Sequence, residues 1–295
     1  MKMHLILIFA SLIAFSTHAT AALLKDGHIL QVKQSWSQEQ EFDRTATVFV
    51  PNGRGPHPVM IALHGNGGNA RHAQQYRFLD QYIRIGPQGY RNSWNIDREA
   101  SKAPDVDFIK QLIEQLKTYA NVDANRIVIL GSSNGAALVN RLLIELNNTH
   151  FQTAIKLAGQ LNQNQYHDDT FWYDPAGGNA YDTPITPSDK RRILSIVGSE
   201  DRVVPYQGGP GVKRYSFMDA QESLYAWAQQ MGEKGTMLKT RDGIEKEPDV
   251  FHYSYLNGDV LLIKLQGAGH NLQPFSNHHR DGRIKRIIQS FLQHP

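Results

Sequence analysis

The sequence predicts an α/β fold with a mostly parallel central sheet and helices on both faces. Three observations carry this. Short continuous apolar runs recur along the chain, the mark of strands buried on both faces. Between them lie stretches with apolar residues at i, i+3 and i+4, the spacing of a one-sided helix. The two kinds alternate, and strand–helix alternation builds a parallel sheet.

In chain order, 28–32 and 45–50 read as early strands, the second rich in β-branched residues. PVMIAL at 58–63 is a buried strand. A helix is expected over 105–119, where Val106, Ile109, Leu112, Ile113 and Leu116 form one stripe. RIVIL at 126–130 is a second buried strand, followed by helical spacing over 135–146. Strands at 193–197 and 260–265 and helices at 221–231 and 283–292 complete the pattern. Two stretches break it. Residues 162–191 are polar yet hold Tyr166, Phe171, Trp172, Tyr173 and Tyr181, which suits a wall or lid over a site better than a disordered linker. Residues 232–249 read as a charged surface excursion. No internal repeat or low-complexity segment stands out.

Composition narrows the function classes. The 295 residues hold 31 Lys+Arg against 28 Asp+Glu, a net charge of +3, with no cysteine. The missing cysteines exclude thiol catalysis, thiolate zinc sites and disulfides. No basic run marks a nucleic-acid footprint; His278-His279-Arg280 is too short for one. Residues 1–21 resemble a signal peptide: Lys2, an apolar stretch over 5–15, and Ala19-Thr20-Ala21 as a cleavage pattern. The apolar stretch falls short of the ~20 residues that a membrane span needs. The expectation is export to the periplasm or beyond, with no membrane anchor left after cleavage.

The sharpest chemical signal is Gly131-Ser132-Ser133-Asn134-Gly135. It fits G-x-S-x-G with a buried strand before it and a helix after it, the setting of a serine nucleophile raised on a sharp turn. Ser133 is the central residue. Its hydroxyl needs a base, an acid to orient that base, and donors for an oxyanion. In this arrangement the acid and then the histidine follow the serine in the chain. The strand at 193–197 runs into Glu200-Asp201, and position in the turn favours Asp201 over Glu200. The last strand runs into Gly267-Ala268-Gly269-His270, which favours His270 over His252, His278 and His279. Adjacent His278 and His279 lack a carboxylate cluster, so no metal is expected. For the oxyanion, the N–H of Asn134 and one from the loop His64-Gly65-Asn66-Gly67-Gly68, assigned to Asn66, are the candidates. The same loop matches G-x-G-x-x-A, but no acidic residue ends the following strand, so no dinucleotide or other cofactor is expected.

These motifs, with Ser93-Trp94-Asn95, Asp105-Val106-Asp107-Phe108-Ile109, Asp201-Arg202-Val203-Val204-Pro205-Tyr206 and Gly269-His270, resemble the secreted polyhydroxybutyrate depolymerase-like esterases, a group that includes feruloyl and acetylxylan esterases. The resemblance runs from about Pro58 to Pro274. It implies an α/β-hydrolase fold, one domain over 22–295 with the insertion around 162–191, and Ser133, Asp201 and His270 as a triad. The substrate would be a small-molecule or polymeric ester, phenolic, acetyl or hydroxyalkanoate. Trp94, Trp172 and Tyr206 are the candidate substrate contacts. Asn66 stands where many polyester depolymerases carry cysteine, and Asn271-Leu272-Gln273-Pro274 replaces a Thr-Trp-Pro segment, so a polymer substrate does not follow from the likeness. A non-catalytic carbohydrate- or polyester-binding protein on this scaffold, or an acyltransferase, are the competing readings. Nothing points to a peptide subsite. A histidine base predicts activity falling below about pH 6.5.

Overall fold

The computed structural model describes residues 21–273 and 282–293. The leader up to residue 20, Pro274, and the His278-His279-Arg280 run lie outside the described residues.

Fifteen strands and four α-helices are formed among the described residues. The strands are β1 Ile29–Trp36, β2 Glu39–Phe49, β3 His57–Leu63, β4 Ile83–Pro87, β5 Val122–Ser132, β6 Thr153–Leu157, β7 Tyr166–His167, β8 Thr170–Tyr173, β9 Thr183–Ile185, β10 Arg192–Gly198, β11 Gly209–Pro210, β12 Ser216–Phe217, β13 Ile244–Glu247, β14 Val250–Tyr255 and β15 Val260–Leu265. The helices are α1 Asp105–Leu116, α2 Asn134–Glu145, α3 Ala220–Gln230 and α4 Arg283–Gln293.

Ten strands form one sheet in the order β1-β2-β4-β3-β5-β6-β10-β15-β14-β13. The six from β4 to β15 pair in parallel, and an antiparallel pair closes each edge. Parallel strands are covered on both faces, and the core divides accordingly. Val59, Ile61, Ile127 and Ile129 point to one face, against Ile109 and Leu112 of α1, Leu138 and Leu142 of α2 and Trp227 of α3. Met60, Ala62, Val128 and Leu130 point to the other, against Tyr76 and the α4 stripe of Ile284, Ile287, Ile288 and Phe291. The expected layering is present.

Several elements depart from the sequence reading. β6 (TAIKL) was not anticipated, because Lys156 interrupts its apolar run. That lysine is 1% exposed and donates to Asn140 Oδ1 at 2.9 Å; burial pushes its pKa down to about 7. The 232–249 excursion ends in β13, paired with an equally unanticipated β14. Residues 162–191 are not a bare loop: β7, β8 and β9 form a separate three-stranded sheet. Phe171 from that sheet packs on Trp227 of α3, ring centroids 4.4 Å apart.

Candidate active site

The site begins with the turn between β5 and α2. Ser133 has φ 54° and ψ −117°, a left-handed conformation that costs strain in a residue with a side chain. Two glycines make the turn sterically feasible. A Cβ on Gly131 would lie 2.3 Å from the Gly135 carbonyl oxygen, and one on Gly135 2.3 Å from that of Leu63. Ser133 also occupies the N-cap of α2, where a serine ordinarily accepts from the first helical N–H groups. Here it makes no capping bond. Its Oγ turns instead to His270, and the first N–H groups of α2 are left without intrahelical acceptors.

His270 follows β15, and its Nε2 lies 2.8 Å from Ser133 Oγ. Its Nδ1 lies 2.8 Å from Asp201 Oδ2, in the loop after β10. A carboxylate only accepts, so Nδ1 carries the proton and Nε2 is free to accept from the serine. The second Asp201 oxygen accepts the N–H groups of Val203 and Val204 at 2.8 and 2.9 Å. Those bonds hold the buried carboxylate facing the imidazole. Glu200 is exposed, and His252 sits on β14, bonded to neither Ser133 nor Asp201. The chain order Ser133, Asp201, His270 is thus brought into one hydrogen-bonded line.

The opposite flank of Ser133 is built from the loops after β3 and β4. Asn66 and Asn134 both border the cavity beside Ser133. The Asn134 side chain accepts from the Trp94 N–H at 2.8 Å and donates to the Trp94 carbonyl at 3.2 Å. The Trp94 indole N–H donates to the His64 carbonyl at 2.8 Å. His64 is itself buried: Nδ1 donates to the Gly65 carbonyl at 2.8 Å, and Nε2 accepts from the Gly89 N–H at 3.0 Å. Burial pushes its pKa below the usual histidine value, while the bond to Gly65 pulls the other way.

Behind these loops runs a buried charged network. The Asn95 N–H donates to Asp105 Oδ2 at 2.6 Å, and its carbonyl accepts from Arg141 at 2.8 Å. Asp105, 0% exposed, pairs at 2.5 Å with Arg44, 1% exposed, whose guanidinium also lies 4.3 Å over the Phe108 ring. Burial pushes the Asp105 carboxyl up, against the pull of Arg44 and of the Asn95 N–H. Sequence reasoning missed this network because buried charge leaves no periodic signature.

None of Trp94, Trp172 and Tyr206 borders the cavity beside Ser133. Trp94 is fully buried and packs on the His64 ring at 4.8 Å, so it supports the loop and has no surface for a ligand. Trp172 stacks on His167 at 4.5 Å in the small sheet and does not border the Ser133 cavity. Tyr206 is buried within the loop that follows Asp201 and does not border the cavity either. The walls come instead from aliphatic residues such as Val203, Val204 and Val212, with Tyr215 and Phe217. Val203 and Val204 were within reach of the sequence, since they stand two and three residues after the acid. Of residues 162–191, Asn162 alone borders this cavity; Tyr166, Phe171 and Ile185 line a separate groove of about 740 Å3 against α3.

Among the described residues no group of three His, Asp or Glu side chains stands close enough to hold a metal ion, and no helix is long and apolar enough to cross a membrane.

The chain is 27% identical over 194 residues to feruloyl esterase B of Piromyces equi, covering 63% of this chain and 32% of that protein. It is 21% identical over 248 residues to the bifunctional acetylxylan esterase/xylanase XynS20E of Neocallimastix patriciarum, covering 80% and 32%. It therefore spans about a third of the length of these relatives. Among solved structures it superposes on the acetyl xylan esterase of Aspergillus awamori with a TM-score of 0.54 and 17% identity, covering 90% of this chain and 99% of that one. That likeness assigns the α/β-hydrolase fold. The prolyl oligopeptidase family model matches residues 83–256, more than half of the chain, and takes in both Ser133 and Asp201. The chain belongs to the prolyl oligopeptidase family and has the α/β-hydrolase fold.

Proposed function

We propose that this chain is a serine esterase that cleaves carboxylic esters through an acyl-enzyme, with Ser133 as nucleophile, His270 as base and Asp201 as its orienting acid. The observation that carries the reading is the unbroken line from Asp201 through His270 to Ser133, with 2.8 Å at each step. His270 Nε2 takes the hydroxyl proton as Oγ attacks the ester carbonyl, and the Asp201 carboxylate stabilises the imidazolium that forms. The N–H groups of Asn134 and Asn66 are assigned to the tetrahedral oxyanion. The proton then passes from Nε2 to the departing alkoxide. In the second half-reaction His270 deprotonates a water that attacks the acyl carbonyl, and Ser133 regains its hydrogen.

Ester substrates are favoured over peptides by the named relatives, a feruloyl esterase and an acetylxylan esterase, within a family that also takes its name from a peptidase. The class extends to phenolic, acetyl or hydroxyalkanoate esters of small alcohols or polysaccharides. The signal-like sequence at 1–21 supports action outside the cytoplasm, by one hydrolase domain over 22–295.

The decisive test is p-nitrophenyl acetate hydrolysis by the wild type and by Ser133→Ala. We expect kcat to drop by about 10⁶, as loss of a catalytic serine does elsewhere. Full activity in the variant would end the proposal. Adding an alcohol acceptor and measuring transfer product separates an acyltransferase from a hydrolase.

A further inference from the structure

We propose that a latch of Arg98, Glu99 and Tyr215 sets the length of acyl group this enzyme accepts, and that it selects short, apolar ones. The inference rests on the serine-esterase reading and deepens it.

The cavity beside Ser133 has a volume of about 190 Å3. That is room for about six waters at roughly 30 Å3 each, below the ~300–1,000 Å3 of a drug-sized ligand site. Ala137, Val203, Val204, Val212 and Phe217 give it mostly apolar walls, which favour an apolar acyl chain, and Lys213 also borders it. Glu99 borders the cavity, but its carboxylate is already engaged. Oε2 accepts from the Ile96 N–H at 2.7 Å and Oε1 from the Tyr215 hydroxyl at 3.1 Å.

The far wall is a separate piece of chain. Val212, Tyr215 and Phe217 belong to a short hairpin, β11 paired with β12, that has no place in the main sheet. Its turn is strained, with Lys213 at φ 52° and Arg214 at φ 62°. Such a hairpin needs outside support, since two-residue strands are marginal alone. Part of that support is backbone: the Val212 N–H donates to the Val203 carbonyl at 2.9 Å. On the β12 side the Gln163 N–H donates to the Ser216 carbonyl at 2.9 Å, and Asn162 bridges Phe217. The turn between the two strands is held by side chains from one loop. The Arg98 guanidinium lies 4.1 Å over the Tyr215 ring and donates to the Arg214 carbonyl at 3.0 Å, while Tyr215 reaches Glu99. Arg98 and Glu99 lie four and five residues after Trp94, which is itself tied to Asn134 beside the serine. The turn of the wall, with Val212 and Tyr215, is therefore tied to the 94–99 loop through side chains, and cutting them lets that turn retreat while β12 stays paired.

The test is kcat/KM of the full chain on p-nitrophenyl acetate, butyrate, hexanoate and decanoate, for the wild type, Tyr215→Ala and Val212→Trp. The wild type should fall by about tenfold or more from butyrate to decanoate, the scale on which a pocket resists surplus methylenes. Tyr215→Ala should raise the decanoate-to-acetate ratio by about tenfold, mostly through KM. Val212→Trp, at an exposed position on the mouth, should lower the hexanoate-to-acetate ratio and carries the test if the alanine variant does not fold. A wild type that prefers decanoate, or ratios within about twofold of wild type in every folded variant, overturns the latch. A wild type inert on all four esters overturns the esterase reading instead.

Discussion

The two flanks of Ser133 are built on different principles. On one, two hydrogen bonds between three side chains connect Oγ to Asp201, and the outer end is fastened by two backbone N–H groups. On the other, Asn134, Trp94, His64, Asn95, Asp105, Arg141 and Arg44 form a branched, buried lattice that reaches from α2 to β2. In the proposed mechanism the first flank moves a proton, and it has no redundancy. The second moves nothing and holds loops still. Damage to the first should therefore appear in rate with little change in stability, and damage to the second in stability before rate.

The largest effect should come from Asp201→Asn. The amide oxygen can keep the bonds from Val203 and Val204, but its NH2 then faces His270 Nδ1. The ring must adopt the other tautomer, with the proton on Nε2, and can no longer accept from Ser133. We expect kcat to fall by about 10⁴, as in the serine protease triad, with the urea midpoint nearly unchanged. A variant that lost as much stability as activity would break the distinction between the flanks.

Next in size is Arg44→Met, which leaves Asp105 buried without its cation. Breaking such a pair costs about 3–5 kcal/mol, measurable by urea unfolding. Pairing it with Asp105→Leu should restore much of the stability, because two apolar residues no longer carry a desolvated charge. It should not restore kcat/KM fully, since the Asn95 N–H loses its acceptor and the 94–99 loop its anchor. If the double variant recovered both properties, the lattice would have no positioning role.

The same contrast explains what could be read from the residues alone. Each member of the hydrogen-bonded line sits a few positions beyond a buried strand, so apolar runs locate Ser133, Asp201 and His270 without any coordinates. Glycines at 131 and 135 add a steric signature at the turn. The lattice has no such mark. Arg44 lies in a strand of alternating polarity and reads as solvated, yet it is 1% exposed. Aromatic residues mislead for a related reason: Trp94 and Tyr206 stand beside the motifs in sequence, and an aromatic near a site is as well suited to core as to ligand. Which it becomes depends on loop paths that local spacing does not encode. Strand β14, next to the edge strand β13, escaped because His252 and Ser254 break its apolar character.

The smallest effect is carried by His64 and depends on pH. Its two ring nitrogens are both satisfied only in the neutral form, Nδ1 donating to Gly65 and Nε2 accepting from Gly89. Protonation at Nε2 would set a donor against the Gly89 N–H. Burial accordingly holds the folded pKa below the unfolded value of 6.5. The sign follows from proton counts. Below pH 6.5 the unfolded chain takes up a proton that the folded chain refuses, so stability falls as the pH drops from there and levels off once the folded pKa is passed. Below that point the turn carrying Gly65 and Asn66 loses its fastening, and the lattice flank loosens at the end nearest the serine. Ring-nitrogen NMR should show the His64 imidazole, identified by the loss of its signals in His64→Gln, as an Nδ1–H tautomer titrating below 6.5. Urea midpoints taken between about pH 7 and pH 5 should fall more steeply in the wild type than in His64→Gln, whose amide can accept from Gly89 and cannot charge. Equal slopes, or a His64 that titrates above 6.5, would mean that this flank stays fastened through acidification and that any acid loss of activity belongs to the proton-moving side alone.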